Sequence, residues 1–212
     1  MGRHKVLNTP AIRRMPTYLH KLMEMYASGE MYASTSKLAE YIRLEPIVVR
    51  KDFELTGIKG FPGVGYRTGE LIDAIRCYLG WDTAHRACLI GAGSLGGALL
   101  GFQDFSEYGM QITGVFDSDP EKIGKSLHGH TVLSIDELES RISGDPPELA
   151  IICVSAANAQ EVVDRLINCG VRAFWNFVNI CLQVPPDVVV QREVIAGGYA
   201  LLSMKRKQHL PR

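Results

Sequence analysis

Residues Cys88–Gly101 read CLIGAGSLGGALLG. An apolar run leads into a glycine turn, and the residues after the turn begin a helix. Gly91, Gly93 and Gly96 form G-x-G-x-x-G, a phosphate-cradling pattern when it joins a strand to a helix. The first glycine permits the sharp turn and the second lets backbone approach a pyrophosphate. The third lets helix and strand pack closely. The pyrophosphate sits where free N–H groups point out of the helix N-terminus. Its expected contacts are Gly91, Ala92, Gly93, Ser94, Leu95 and Gly96.

The residues that follow give the motif its context. MQITGVFDSD is an apolar strand ending at Asp117, 21 residues after Gly96. That is close to the spacing of the carboxylate that binds a ribose 2′-hydroxyl. A carboxylate there repels a 2′-phosphate, which favours NAD(H) over NADP(H). The plainer reading of Asp117 is a turn former at a strand end. Further on, Thr131–Leu133, ELAIICVS ending at Ser155, and Ala173–Phe177 read as strands. Ile135–Ile142, Ala157–Cys169 and Ala196–Lys207 read as helices. Such alternation predicts an α/β chain with a Rossmann-type doubly wound parallel sheet and a C-terminal helix.

The residues ahead of the motif have a different character. Pro16 can open a helix through Tyr18, Leu19, Leu22, Met23 and Tyr26, with Gly29 as its stop. Ser34 or Thr35 can cap a short helix carrying Leu38, Tyr41 and Ile42. A tight connection at 43–45 leads to Pro46 and a second helix through Phe53, closed by Gly57. Two short helices joined this way match a helix-turn-helix, whose second helix enters the major groove. The glycines of KGFPGVGYRTG suit a hairpin wing, and TGELIDAIRCYLG reads as a helix packing back on it. Ser34, Thr35, Lys37, Arg50, Lys51 and Lys59 are then the expected DNA contacts. The competing reading is a small helical bundle for protein contacts.

Charge supports the division. Residues 1–80 carry 12 Lys/Arg against 8 Asp/Glu, although the whole chain is formally neutral. The basic part alone hints at a polyanionic partner. No apolar run approaches the roughly 20 residues of a membrane span, and the N-terminus lacks the apolar core of a secretory signal. Five cysteines with no C-x-x-C spacing suit a reducing cytoplasm, with thiol-based redox sensing as the lesser reading. His128-Gly129-His130 resembles half a metal site but lacks a third ligand. No catalytic set is evident, and too little chain follows the motif for a substrate domain.

Taken together, RRMPTYLHKL, VRKDFELTG, GVGY, GAGSLG, FDSDPEKIG, Asn176-Phe177 and LQVP resemble the Rex family of redox-sensing transcriptional repressors over nearly the whole chain. The resemblance implies a homodimer with a winged-helix domain and a Rossmann domain, its C-terminal helix crossing to the partner. It implies that palindromic operator DNA is held when NAD⁺ prevails and released by NADH. On this basis residues 1–82 are expected to bind DNA, 83–193 to bind NAD(H), and 194–212 to dimerise. Lys122 is expected to flank the adenine. Val154 stands in the family's Val-Pro pair, as Val154-Ser155.

The sequence departs from the family where the switch lies. A tyrosine near the nicotinamide falls on Phe102, which has no hydroxyl to donate. An aspartate before the C-terminal helix, which pairs with a basic residue of the recognition helix, falls on Val194 beside Glu193. Ser-Tyr-Phe-Gly after the recognition helix is Glu54-Leu55-Thr56-Gly57, and Asn-Phe-Ala-Pro is Asn176-Phe177-Val178-Asn179. These changes predict a blunted response to NADH. Alternative readings are a regulator of this kind that binds another adenine nucleotide or coenzyme A, and a small dehydrogenase.

Overall fold

The computed structural model describes residues 7–102 and 104–210, which divide between Thr83 and Ala84 into two compact units. In the first unit, α1 spans Thr9–Ala27, seven residues longer at its start than Pro16 predicts. Asn8 caps it by accepting the Ala11 N–H, and Pro10 takes the first turn. Pro16 lies inside the helix. It lacks one N–H donor, but Ala11 and Met15 before it and Tyr18 and Leu19 after it are fully buried. Their burial carries the helix through the proline, whose own position breaks one hydrogen bond. Tyr26, expected on the inner face, is exposed, and Met25 is buried instead.

The short strand β1, Tyr32–Ala33, precedes α2, Thr35–Ile42, and α3, Pro46–Glu54. Ser34 caps α2 by accepting the Lys37 N–H at 3.2 Å. Arg43 adopts the left-handed conformation that ends α2. Pro46 starts α3, where a missing N–H costs nothing. Of its expected apolar residues, Val49 and Phe53 are buried, while Ile47 and Leu55 are exposed. Strand β2, Tyr66–Arg67, returns antiparallel to β1, with a Phe61–Gly65 bridge beyond it forming the wing. Helix α4, Thr68–Leu79, packs on α1.

An acid holds α3 in place. Asp52 is buried and accepts two hydrogen bonds from Arg14, at 2.7 and 2.8 Å. The Tyr18 hydroxyl donates a third, at 2.8 Å. Burial first, and then the bond to Asp52, push the Tyr18 phenol well above its ordinary range. Next to Asp52, Phe53 meets Tyr18 and Tyr66 edge-on, with centroids 5.1 and 5.3 Å apart. The orientation of α3 therefore depends on a charge pair and an aromatic row arising from α1 and β2.

The second unit begins with β3, His85–Ile90, then α5, Ser94–Leu100, and a four-residue helix α6, Asp104–Glu107, that the sequence pattern does not predict. Strand β4 is Met110–Asp117, β5 Ser126–Leu127 and β6 His130–Ser134. A 3₁₀ turn, Ile135–Glu137, leads into α7, Leu138–Ile142, in place of one continuous helix. Strand β7, Leu149–Ile152, stops three residues short of Ser155. Helix α8 is Ala159–Asn168, β8 Ala173–Asn176, β9 Val189–Arg192 and α9 Ile195–His209. Strands β5 and β9, at the two edges of the sheet, are absent from the sequence reading.

The sheet order is β5-β6-β4-β3-β7-β8-β9, parallel except for β5. Without β5 it is the doubly wound order 3-2-1-4-5-6. Neighbouring residues on a strand face opposite sides. Ile90, Phe116 and Ile152 therefore join one core, with Leu138, Val163 and Leu166. Leu89, Val115 and Ile151 join the other, packed with Leu99, Leu100 and Trp175. The order reverses beside β3, so the crevice at the carboxyl ends of β3 and β7 lies next to the glycine turn. Helix α9 buries none of its residues within the chain.

Truncating Asp52 leaves Arg14 and Tyr18 facing a gap. Asp52→Ala is expected to destabilise the first unit by about 3 kcal/mol, as breaking a buried pair does. Urea unfolding, followed by aromatic fluorescence, measures the loss. A change below about 0.5 kcal/mol, the size of an ordinary surface substitution, would remove this anchor from the account.

Candidate functional site

At the end of β3, Gly91 has φ +100°. A Cβ there would lie 2.5 Å from the Cys153 carbonyl oxygen. A Cβ on Gly96 would lie 2.0 Å from the Gly91 carbonyl oxygen. Neither position admits a side chain. At Gly93, by contrast, a Cβ would meet nothing within 4 Å. That open space is what close approach by a pyrophosphate needs. Ala92 and Gly96 are buried behind the turn, and Ser94 and Leu95 begin α5.

Asp117 ties this turn to β4. Its Oδ2 accepts the Ala92 N–H at 2.7 Å, and its Oδ1 accepts the Asp119 N–H at 2.9 Å. Lys122 Nζ lies 3.2 Å from Asp117 Oδ2 and 3.4 Å from Asp119 Oδ2. A carboxylate has about four acceptor sites, so the three protein donors leave room for a ribose hydroxyl. Asp117 has two tasks: it closes the glycine turn and presents an acceptor. The residues present fit an adenine dinucleotide.

A cavity of about 440 Å³ opens here. Of the sequence-predicted nucleotide residues, Gly91, Gly93, Asp117, Lys122 and Val154 line it. Phe102 does not: it lines a separate cavity of about 400 Å³ with Leu100, Phe105 and His130. Its ring packs edge-on against Phe105, with centroids 4.8 Å apart.

Arg165, which the sequence reading missed, also lines the nucleotide cavity. Projecting from α8, it donates Nε to Glu139 Oε1 at 2.6 Å, and Nη2 to Glu139 Oε2 and the Ile135 carbonyl at 2.8 Å each. It thereby fastens the loop after β6 to α8. The partners lie 26 residues apart, and no local pattern announces them. Cys153 lines the cavity too, and burial pushes its thiol up to about 11. Burial likewise pushes Cys88 up to about 12. Both stay protonated near neutrality, which removes them from thiol-based sensing.

In the first unit a concavity of about 750 Å³ lies between the start of α2, the flank of α3 and the wing. Ser34, Thr35, Arg50 and Lys59 line it, as does Glu54. Lys37 lies outside and pairs with Glu30. Lys51 is exposed on α3 but is not part of this lining. Tyr66 forms its floor; burial, and then the Glu54 charge, raise that phenol. Among the described residues, no group of three His, Cys, Asp or Glu is placed to hold a metal ion. No helix among them is long and apolar enough to cross a membrane.

Known proteins match both units. A family model described as a CoA binding domain matches residues 82–180, and one described as a putative DNA-binding protein N-terminus matches 8–54. The redox-sensing transcriptional repressor Rex of Treponema denticola is 45% identical over 204 residues, 96% of this chain and 97% of its own. The chain belongs to the Rex family. The Rex of Rhodopirellula baltica is 37% identical over 96% of this chain and 86% of its own. Among solved structures, the Rex-family repressor RSP in complex with β-NAD⁺ and operator DNA superposes with a TM-score of 0.85 at 29% identity. That match covers 97% of this chain and 95% of the other. RSP in complex with β-NADH gives 0.83 at 28% identity, covering 97% of each. Rex proteins are transcriptional repressors, so the dehydrogenase reading falls.

The Arg165 clamp has a pH signature. Its hydrogen bonds to Glu139, above all other causes, hold that carboxyl at about 2, against an ordinary 4.5. A depressed value means the stabilisation is whole above pH 4.5 and fades as pH falls towards 2. The pair is partly in water, so its contribution is no more than about 1 kcal/mol. Glu139→Gln is expected to flatten denaturant midpoints over that range. An unchanged slope would show the clamp to be energetically silent.

Proposed function

We propose that this Rex-family chain is a homodimeric, DNA-binding transcriptional repressor that senses the NADH/NAD⁺ balance. The observation that carries the proposal is full-length similarity to Rex, with a winged helix and an intact glycine fingerprint in the same chain. Gly91, Gly93 and Gly96 would cradle the pyrophosphate, with Ala92, Ser94 and Leu95 completing the turn. Asp117 would accept from the adenosine ribose, Lys122 would flank the adenine, and Val154 would face the dinucleotide. Arg50, Lys51 and Lys59 would contact DNA, with Ser34, Thr35 and Lys37 at the start of α2. Helix α9 would join two copies, since its exposed Ile195, Tyr199, Leu202 and Met204 have no burial within one chain. A cytoplasmic location follows from that role.

A second reading is favoured by the CoA binding domain match. Coenzyme A carries a phosphate on its adenosine ribose. The cavity presents Asp117, Asp136 and Glu161 against Lys122 and Arg165, a balance that repels such a phosphate. Calorimetry with NADH, ADP and coenzyme A separates the two readings.

The switch itself would be blunted. Phe102 offers no hydroxyl and packs on Phe105 in a cavity apart from the fingerprint, and Val194 offers no charge. Half-release of operator DNA is expected at NADH and NAD⁺ concentrations differing by less than about fivefold, the low edge of ordinary coupling. Titration of the DNA complex with each form measures the ratio. A ratio above about a hundredfold in the unaltered chain would overturn the blunted switch.

A further inference from the structure

Among the described residues that line the winged-helix concavity, Glu54 is the single acid. Its side chain is 62% exposed. Burial first, and then its charge, raise the nearby Tyr66 phenol. It is the last residue of α3, and a carboxylate at a helix C-terminus faces the negative end of the macrodipole. Its partner Arg50, on the preceding turn, lies 3.9 Å away, too far for a hydrogen bond, and is just as exposed. Such a pair contributes little to folding. An acid beside DNA also weakens attraction to phosphate. A weakly paired, exposed acid with a general penalty for DNA binding gains most from a specific partner that offsets it.

We propose that Glu54 is a specificity-determining residue that reads a cytosine in each half of the operator, alongside a guanine read by Arg50. The proposal rests on the DNA-binding reading above. A carboxylate only accepts hydrogen bonds. In the major groove only cytosine N4 and adenine N6 offer amino donors, and acidic side chains pair with cytosine N4. Arg50 is the complementary case, donating in a fork to guanine O6 and N7. Four residues along a helix advance about 6 Å, and base pairs are spaced about 3.4 Å apart. Arg50 and Glu54 would therefore address base pairs one or two steps apart. Their own separation leaves donors and acceptor available for bases. Family members with serine at this position would lack the requirement, since a hydroxyl both donates and accepts.

The test is selection of bound duplexes from a random pool by the full-length protein, beside Glu54→Gln and Glu54→Ser. Fluorescence anisotropy on the winning duplex and its single-base variants, at fixed salt, follows. Glu54 is exposed and its charge on the Tyr66 phenol is unfavourable to ionisation only, so both variants are expected to fold, which thermal melting checks. The unaltered chain is expected to enrich a palindrome with a fixed cytosine in each half. That cytosine should lie within two base pairs of a guanine whose preference Arg50→Ala abolishes. Replacing the cytosine should weaken binding about tenfold, within the range of one good base contact. Both Glu54 variants should bring that penalty below about threefold while binding other duplexes more tightly. If the variants select the same cytosine as strongly and merely tighten every duplex, the carboxylate only repels phosphate and the proposal is overturned. If the unaltered chain enriches no sequence, the DNA-binding reading itself fails before any variant is compared.

Discussion

The approach of Gly96 to the Gly91 carbonyl oxygen governs the second unit. At that distance helix and strand backbones touch, so α5 starts directly beneath the end of β3. The turn between them is then too tight to satisfy its own amide groups. Gly91 and Ala92 send their N–H groups sideways to β4, to the Phe116 carbonyl and the Asp117 carboxylate. What results is a turn whose inner side is closed by protein and whose outer side, at Gly93, is open. The acid that repairs the turn is the same one proposed to accept from a ribose. Fold and ligand chemistry are therefore set by one contact, and neither can drift without the other.

The first unit solves its problem differently. A recognition helix presents one face to DNA, so it has only the opposite face to hold it. On α3 that face includes an acid, Asp52, where an apolar residue would be usual. A forked guanidinium and a phenol fix the acid from two directions, which orients the helix more sharply than packing alone. The exposed residues Arg50, Lys51 and Glu54 are then left to face whatever lies outside.

Much of this was legible in the sequence where the signal is local. Glycine spacing, the apolar strand ending at Asp117, and caps such as Ser34 depend on neighbours within a few residues. Long-range partners were not. Arg14 and Tyr18 sit one turn apart in α1 while Asp52 is in α3, and Arg165 meets Glu139 only after β7 is laid into the sheet. Pro16 misled because its effect on a backbone is local while the burial that overrides it is tertiary. Strand β9 went unread because its apolar run, Val188–Val190, is short, follows Pro185-Pro186 and gives way at once to Gln191-Arg192 on a half-solvated edge. Phe102 falls in the family's switch position by sequence, yet its ring lies in a cavity apart from the fingerprint.

Helix α9 has a consequence of a different kind. A lone helix of its length is marginal in water, and Gly197-Gly198 near its start weakens it further. In the proposed homodimer its order would come from the copy that covers Ile195, Tyr199, Leu202 and Met204. Stability drawn from association grows with concentration. In that homodimer the persistence of this helix would be a property of the solution as much as of the chain, varying with how much partner is present.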